Sequence, residues 1–315
     1  MPEKACPGNG ARVLRSAQRS VIEEPAVPST ASRLHQQLNQ NSTPYQDPLG
    51  RLAWDGLDAD GWWLPKAAIS LAGLEVFETQ PEVLQRRLSR LEFLGFVDAG
   101  LWLEGIFMER IAKSLSAHGT IADRMYHLHE LREEAGHSLM FLQLMEKSGL
   151  HLPREHVSRP WLVDLLGRRL PPRGALFWLS VVIGEEVPDR LNRAIRVLGA
   201  QTVDPLVRQM CTLHVIDEAR HAAHARDALE RVVGRMHPAR RRLLTPLVDV
   251  LIRRFLDTFY LPCAAVYELA GLTPGSHWRA LARRNPARRA FVLECVNPTL
   301  NYLRRLDFPV AAPRF

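Results

Sequence analysis

The sequence lacks most of the features that would mark other architectures. Its four cysteines, Cys6, Cys211, Cys263 and Cys295, lie far apart and form no Cys-x-x-Cys pair. That argues against a disulfide frame and for reduced thiols in a cytoplasmic protein. The longest strongly apolar run, Gly174 to Gly184 (GALFWLSVVIG), is too short to span a bilayer and reads as a buried helix. The opening residues Pro2, Glu3 and Lys4 are followed by no apolar block, so no signal peptide is expected. Alternating strand patterns, fixed-period repeats and a Gly-rich phosphate loop are all missing. The charge balance is +7, much of it from arginines scattered over 231–305, without an aromatic-interleaved basic stripe. This pattern fits a solvated surface, or more weakly a docking face for an acidic partner such as a carrier protein, and not nucleic acid.

What the sequence does contain is a set of metal-capable side chains at helical spacing. The stretch Leu213 to Ala222 (LHVIDEARHA) carries His214, Glu218 and His221. At about 100° per residue, steps of four and three keep all three on one helix face. A second stretch, Leu131 to Phe141 (LREEAGHSLMF), offers Glu134 and His137 at the i, i+3 spacing. Two Glu-x-x-His pairs on two helices, with one glutamate from each of two more, make the ligand set of a di-metal carboxylate site in a four-helix bundle. Composition alone yields roughly one such pair by chance, so the surrounding pattern has to decide. Glu133 and Asp217 each precede a member of a pair and are natural partners for a metal-bound imidazole.

Taken in order, residues 1–44 are polar and unpatterned and read as a flexible arm, leaving 45–315 as a single domain. Trp54, Trp62 and Trp63 anchor a lead-in loop. A helix is expected from Glu82 to Ala117, ending at His118-Gly119. Glu104 stands there among Leu101, Trp102, Leu103, Ile106 and Phe107, where a carboxylate is costly unless paired or metal-bound. Glu109, beside Arg110, is the competing candidate. The helix from Ala122 to Ser148 is expected to bury Leu128, Leu131, Ala135, Leu139, Leu142 and Met145. A third runs from Arg173 to Gly199 and offers Glu185 or Glu186, with Pro188 expected to kink it. Asp204 caps a fourth, ending near Val233. Pro238 to Tyr260 is a fifth, and the proline-bearing remainder reads as shorter helices and turns. The fold class is therefore all-α: a four-helix bundle core with additional helices.

On these motifs the chain resembles the ferritin-like di-iron arylamine N-oxygenase (p-aminobenzoate N-oxygenase-like) family, over roughly Pro65 to Val310. The family's hallmark is an extra histidine one turn before the second Glu-x-x-His, and His214 occupies that position. The spacing Glu104, Glu109, His118-Gly119 matches the family's first ligand helix. The run Ile183-Gly184-Glu185-Glu186 favours Glu185. The resemblance makes the four-helix bundle core ferritin-like and implies a metal set of Glu104, Glu134, His137, Glu185, His214, Glu218 and His221, with His214 tuning catalysis. It implies two iron ions as cofactor, O2 as co-substrate and an external electron donor. Four carboxylates neutralise two ferrous ions, and manganese is the main competing metal. The implied activity is N-oxygenation of a primary amine, free or tethered to a carrier protein, in secondary metabolism, by a homodimer. C-hydroxylation or desaturation on the same fold is the nearest alternative, and ferroxidase or metal storage a more distant one. One family feature is missing: Ala99 stands where an arginine that receives a benzoate carboxylate is expected, so no dedicated benzoate clamp is predicted.

Overall fold

The computed structural model describes residues 30–115, 119–152 and 160–313. In chain order the helices are α1 (Thr30–Asn41), α2 (Pro48–Arg51), α3 (Glu75–Glu78), α4 (Glu82–Ser114), α5 (Ile121–Lys147) and α6 (Trp161–Arg169). They continue with α7 (Ala175–Leu198), α8 (Pro205–Gly234), α9 (Pro238–Phe259), α10 (Ala264–Leu269), α11 (Gly275–Arg284) and α12 (Pro286–Arg305). No β-strand occurs among the described residues. Four long helices form the bundle: α4 runs along α5, α7 along α8, and α5 meets α8 across the middle. α9 and α12 brace the outside of α7, and α1 lies over α5 and α8.

Local sequence accounts for these boundaries. Thr120 and Asp123 form a reciprocal capping box at the start of α5, each side chain taking an orphan backbone N–H. Asp204 caps α8, its Oδ1 accepting from the Val207 amide at 3.0 Å, with Pro205 in the first turn. Its other oxygen accepts from the Asp58 amide at 2.8 Å, so one carboxylate both starts α8 and ties down the lead-in loop. Trp63 is fully buried there and donates its indole N–H to the Asp58 carbonyl. The anchoring expected of the tryptophans is their role.

Three expectations need correction. Part of the arm is ordered: α1 occupies Thr30–Asn41 and buries His35 and Leu38 against its neighbours, while residues 1–29 lie outside the described residues. The helix stop at His118-Gly119 also falls partly outside them. Helix α7, Ala175–Leu198, has the expected span with Pro188 inside it, where the ring leaves the Gly184 carbonyl without its i→i−4 donor. The C-terminal region includes a long helix, α12, which contains Pro298. Finally, α5 is turned away from its expected phase. Leu128, Leu139 and Leu142 are exposed, and the buried face carries Tyr126, Glu130, Glu133, Glu134, His137 and Phe141.

Candidate metal centre

Each of the four bundle helices brings charge into an apolar interior. α4 supplies Glu104, α5 Glu134 and His137, α7 Glu185, and α8 His214, Glu218 and His221; all seven are buried. They fall into two groups able to hold an ion: Glu104, His137, His214 and Glu218, and Glu134, Glu185, Glu218 and His221. Within each group the donor atoms lie within 4.8 Å of one another. Glu218 belongs to both groups. All seven candidates from the sequence are thus brought together.

Their competitors are engaged elsewhere. Glu186 accepts from Arg226 Nε and from Thr299 Oγ1 at 2.7 Å, and Arg190 stands 3.6 Å away. Glu109 forms ion pairs with Lys113 and Arg168. Ala99 is a fully buried residue of α4 and offers no cation.

The imidazoles are oriented crosswise. His137 of α5 directs Nε2 to Asp217 of α8 at 3.2 Å, and His221 of α8 directs Nε2 to Glu133 of α5 at 3.0 Å. Arg220 bridges the two orienting carboxylates. This leaves Nδ1 of both rings aimed inward: His137 Nδ1 is 3.5 Å from Glu218 Oε1, and His221 Nδ1 is 3.2 Å from Glu134 Oε1. Fixing one ring nitrogen so that the other can ligate is how carboxylates hold metal-binding histidines. His214 Nε2 lies 3.3 Å from Glu104 Oε1, with the Asn192 amide 3.2 Å from its Nδ1 and Phe141 stacked against the ring. Asn192 was not evident from sequence, because its relation to His214 is made only by the packing of α7 on α8.

The electrostatics and the hydrogen bonding point to a missing positive charge. Burial, then Glu218 and Glu134, push the Glu185 carboxyl well above its ordinary range. Burial opposes a charge on His137, yet Asp217 and Glu134 raise it to about 9. Burial likewise opposes a charge on His221, which Glu134 and Glu218 nevertheless raise well above the usual value. His214 is lowered, by burial first and by His137 second. Buried Glu104 Oε2, both oxygens of Glu134, and Nδ1 of His137 and His221 have no hydrogen-bond partner. Buried polar atoms are nearly always satisfied, so five orphans converging on one place need an explanation. Two divalent cations would satisfy them and neutralise the four carboxylates together. The donor set therefore fits a dinuclear metal centre.

A four-helix bundle facing glutamates and histidines inward in this way belongs to the class of dinuclear carboxylate–histidine proteins. The family model of the p-aminobenzoate N-oxygenase AurF matches residues 24–307, and the chain belongs to that family. It is accordingly a non-haem di-iron oxidoreductase acting on a small-molecule substrate. Uncharacterized proteins of Mycobacterium bovis and Mycobacterium tuberculosis are 22% identical over 237 residues, covering 73% of this chain and 68% of each relative. Among solved structures, a point mutant of an R2-like ligand-binding oxidase with an aerobically reconstituted Mn/Fe cofactor is 16% identical. It aligns with a TM-score of 0.47 over 90% of this chain and 94% of that one. No helix among the described residues is long and apolar enough to cross a membrane.

One feature escaped sequence reading. The stripes of metal-capable residues continue on both helices: Glu130 and His127 lie one and two turns before Glu134 on α5, and His224 lies one turn after His221 on α8. The repeated three- and four-residue steps were the available signal.

Proposed function

We propose that this di-iron protein oxygenates the nitrogen of a primary amine to a hydroxylamine, and onward to nitroso or nitro products, in secondary metabolism. In this reading Glu104, Glu134, His137, Glu185, His214, Glu218 and His221 are the iron ligands. The observation that carries it is the seventh donor, His214, whose Nε2 stands beside Glu104 inside the first ligand group. When bound, the iron pair supplies O2 activation, with electrons from an external donor. The chain's own residues do the rest. Asp217 and Glu133 fix the tautomers of His137 and His221, and Arg220 holds those two acids in place. A narrow cavity of about 40 Å³ reaches Glu185 between Phe107, Phe177, Trp178 and Val181. Its small size supports an amino group rather than an aromatic ring as the part that reaches Glu185.

The cation on that cavity, Arg110, already donates to the carbonyls of Arg168 and Leu170 at 2.9 and 2.6 Å. Together with Ala99, this supports a substrate other than a benzoate, free or carried on a protein partner. The exposed stripe of Leu128, Leu139 and Leu142 on α5 supports a homodimer, and a one-chain mass in sedimentation at micromolar concentration would contradict that part.

The direct test is aerobic incubation of the reduced, iron-loaded protein with a panel of amines, read by mass spectrometry. Hydroxylamine or nitro products are expected. Products oxygenated or desaturated only at carbon would instead support the alternative di-iron chemistry.

A further inference from the structure

Beyond the seven-residue centre, a second cluster of metal-capable side chains lies one helical turn away. His127 and Glu130 of α5 and His224 of α8 present one donor atom each, all within 4.8 Å of one another. Glu130 is four residues before Glu134 and His224 three after His221, so the cluster repeats the ligand geometry about 6 Å along the same helices. The same cavity that reaches Glu185 is walled by His127, Glu130 and His224. Two imidazoles and one carboxylate, with space on one side, make the facial donor set that takes ferrous iron or a similar divalent ion.

The competing account is a buried imidazole–carboxylate pair needing no metal. Three observations speak against it as the whole explanation. Glu130 is 5% exposed, yet its Oε2 has no hydrogen-bond partner; His224 Nδ1 stands 3.5 Å off, too far for a good bond. Buried His127 Nδ1 is likewise without a partner. The His224 ring is also fixed before any ligand arrives. Tyr126, His35, His127 and Trp178 surround it, with ring centroids at 4.9, 5.2, 5.5 and 5.5 Å. Burial, then His224, lowers the pKa of His127, which favours the neutral imidazole that a metal needs.

We infer that His127, Glu130 and His224 form a third, mononuclear site for a divalent transition-metal ion in the wall of the cavity that also touches Glu185.

The test uses the full chain dialysed to equilibrium against Mn(II) without oxygen. It is read by elemental analysis and by electron paramagnetic resonance. The wild type is expected to hold one Mn(II) per chain beyond the pair, with an uncoupled six-line signal over that of the coupled pair. His127→Gln and Glu130→Gln should each lose that one ion and the six-line signal while keeping the coupled pair. His127 lies two turns from Glu134, so its variant leaves the pair intact even if the Glu130 variant folds poorly. A wild type that saturates at the pair overturns the proposal. So does an extra ion that survives in His127→Gln, which would mark it as bound elsewhere on the surface.

Discussion

The molecule buries glutamates in two contrasting ways. Glu186 and Glu92 are supplied with donors: Glu186 meets Arg226, Arg190 and Thr299, and Glu92 takes the Ser70 amide at 3.0 Å and its hydroxyl at 2.5 Å. In the centre, Glu104, Glu134, Glu185 and Glu218 face each other and three imidazoles, and both oxygens of Glu134 lack a hydrogen-bond partner. Burying an uncompensated charge costs several kcal/mol per ion, so the second arrangement is the one that a bound cation would stabilise. Glu185 and Glu186 are adjacent in the chain, yet one step of helix rotation sends one to each environment. Glu186 and Glu92 are fully supplied with protein donors, whereas the four central glutamates form the groups that could hold metal ions.

The largest effect should come from the shared carboxylate. Glu218→Ala removes a donor from both groups and is expected to lower iron to near zero per chain by elemental analysis. Glu104→Ala touches only one group and should leave a substantial fraction of the iron bound. Equal loss in the two variants would break the assignment of Glu218 to both sites.

The contrast within the adjacent pair is the next test. Glu186→Gln should keep full iron content but cost about 1–2 kcal/mol, because the charge-assisted bonds from Arg226 and Thr299 become neutral ones. A Tm lowered by several degrees with unchanged metal is the expected readout. Loss of iron would make Glu186 part of the centre.

A smaller effect is expected one step further out. Asp217→Asn and Glu133→Gln should each weaken iron affinity by about 10–100-fold while the bundle stays folded, because each releases one imidazole from its fixed tautomer. Chelator competition measures this. Unchanged affinity in both would show that the crosswise bonds do not position the ligands.

Much of the centre was legible in the sequence because helix geometry is local: steps of three and four residues put Glu134 with His137, and His214 with Glu218 and His221, whatever the tertiary context. What tertiary packing decides was less accessible. The burial phase of α5 followed its polar residues and left Leu128, Leu139 and Leu142 outside, because Glu133, Glu134 and His137 must meet α8. The same holds for α1, a polar helix ordered by its contacts, and for the crossing of His137 to Asp217 and His221 to Glu133. Glu185 could be separated from Glu186 only by family resemblance, since two consecutive acids after one apolar run look alike until Arg226 and Thr299 come into view.

The central claim is that His214 is the donor that turns a common bundle site toward nitrogen. His214→Ala leaves six donors, the usual complement for this fold, so the variant should still load its iron pair. The decisive measurement is product formed per O2 consumed in that variant, after two irons per chain have been confirmed. The account predicts retained iron, a steep fall in N-oxygenated product and a rise in released peroxide. Wild-type coupling in the fully loaded variant would contradict it and leave His214 a structural residue.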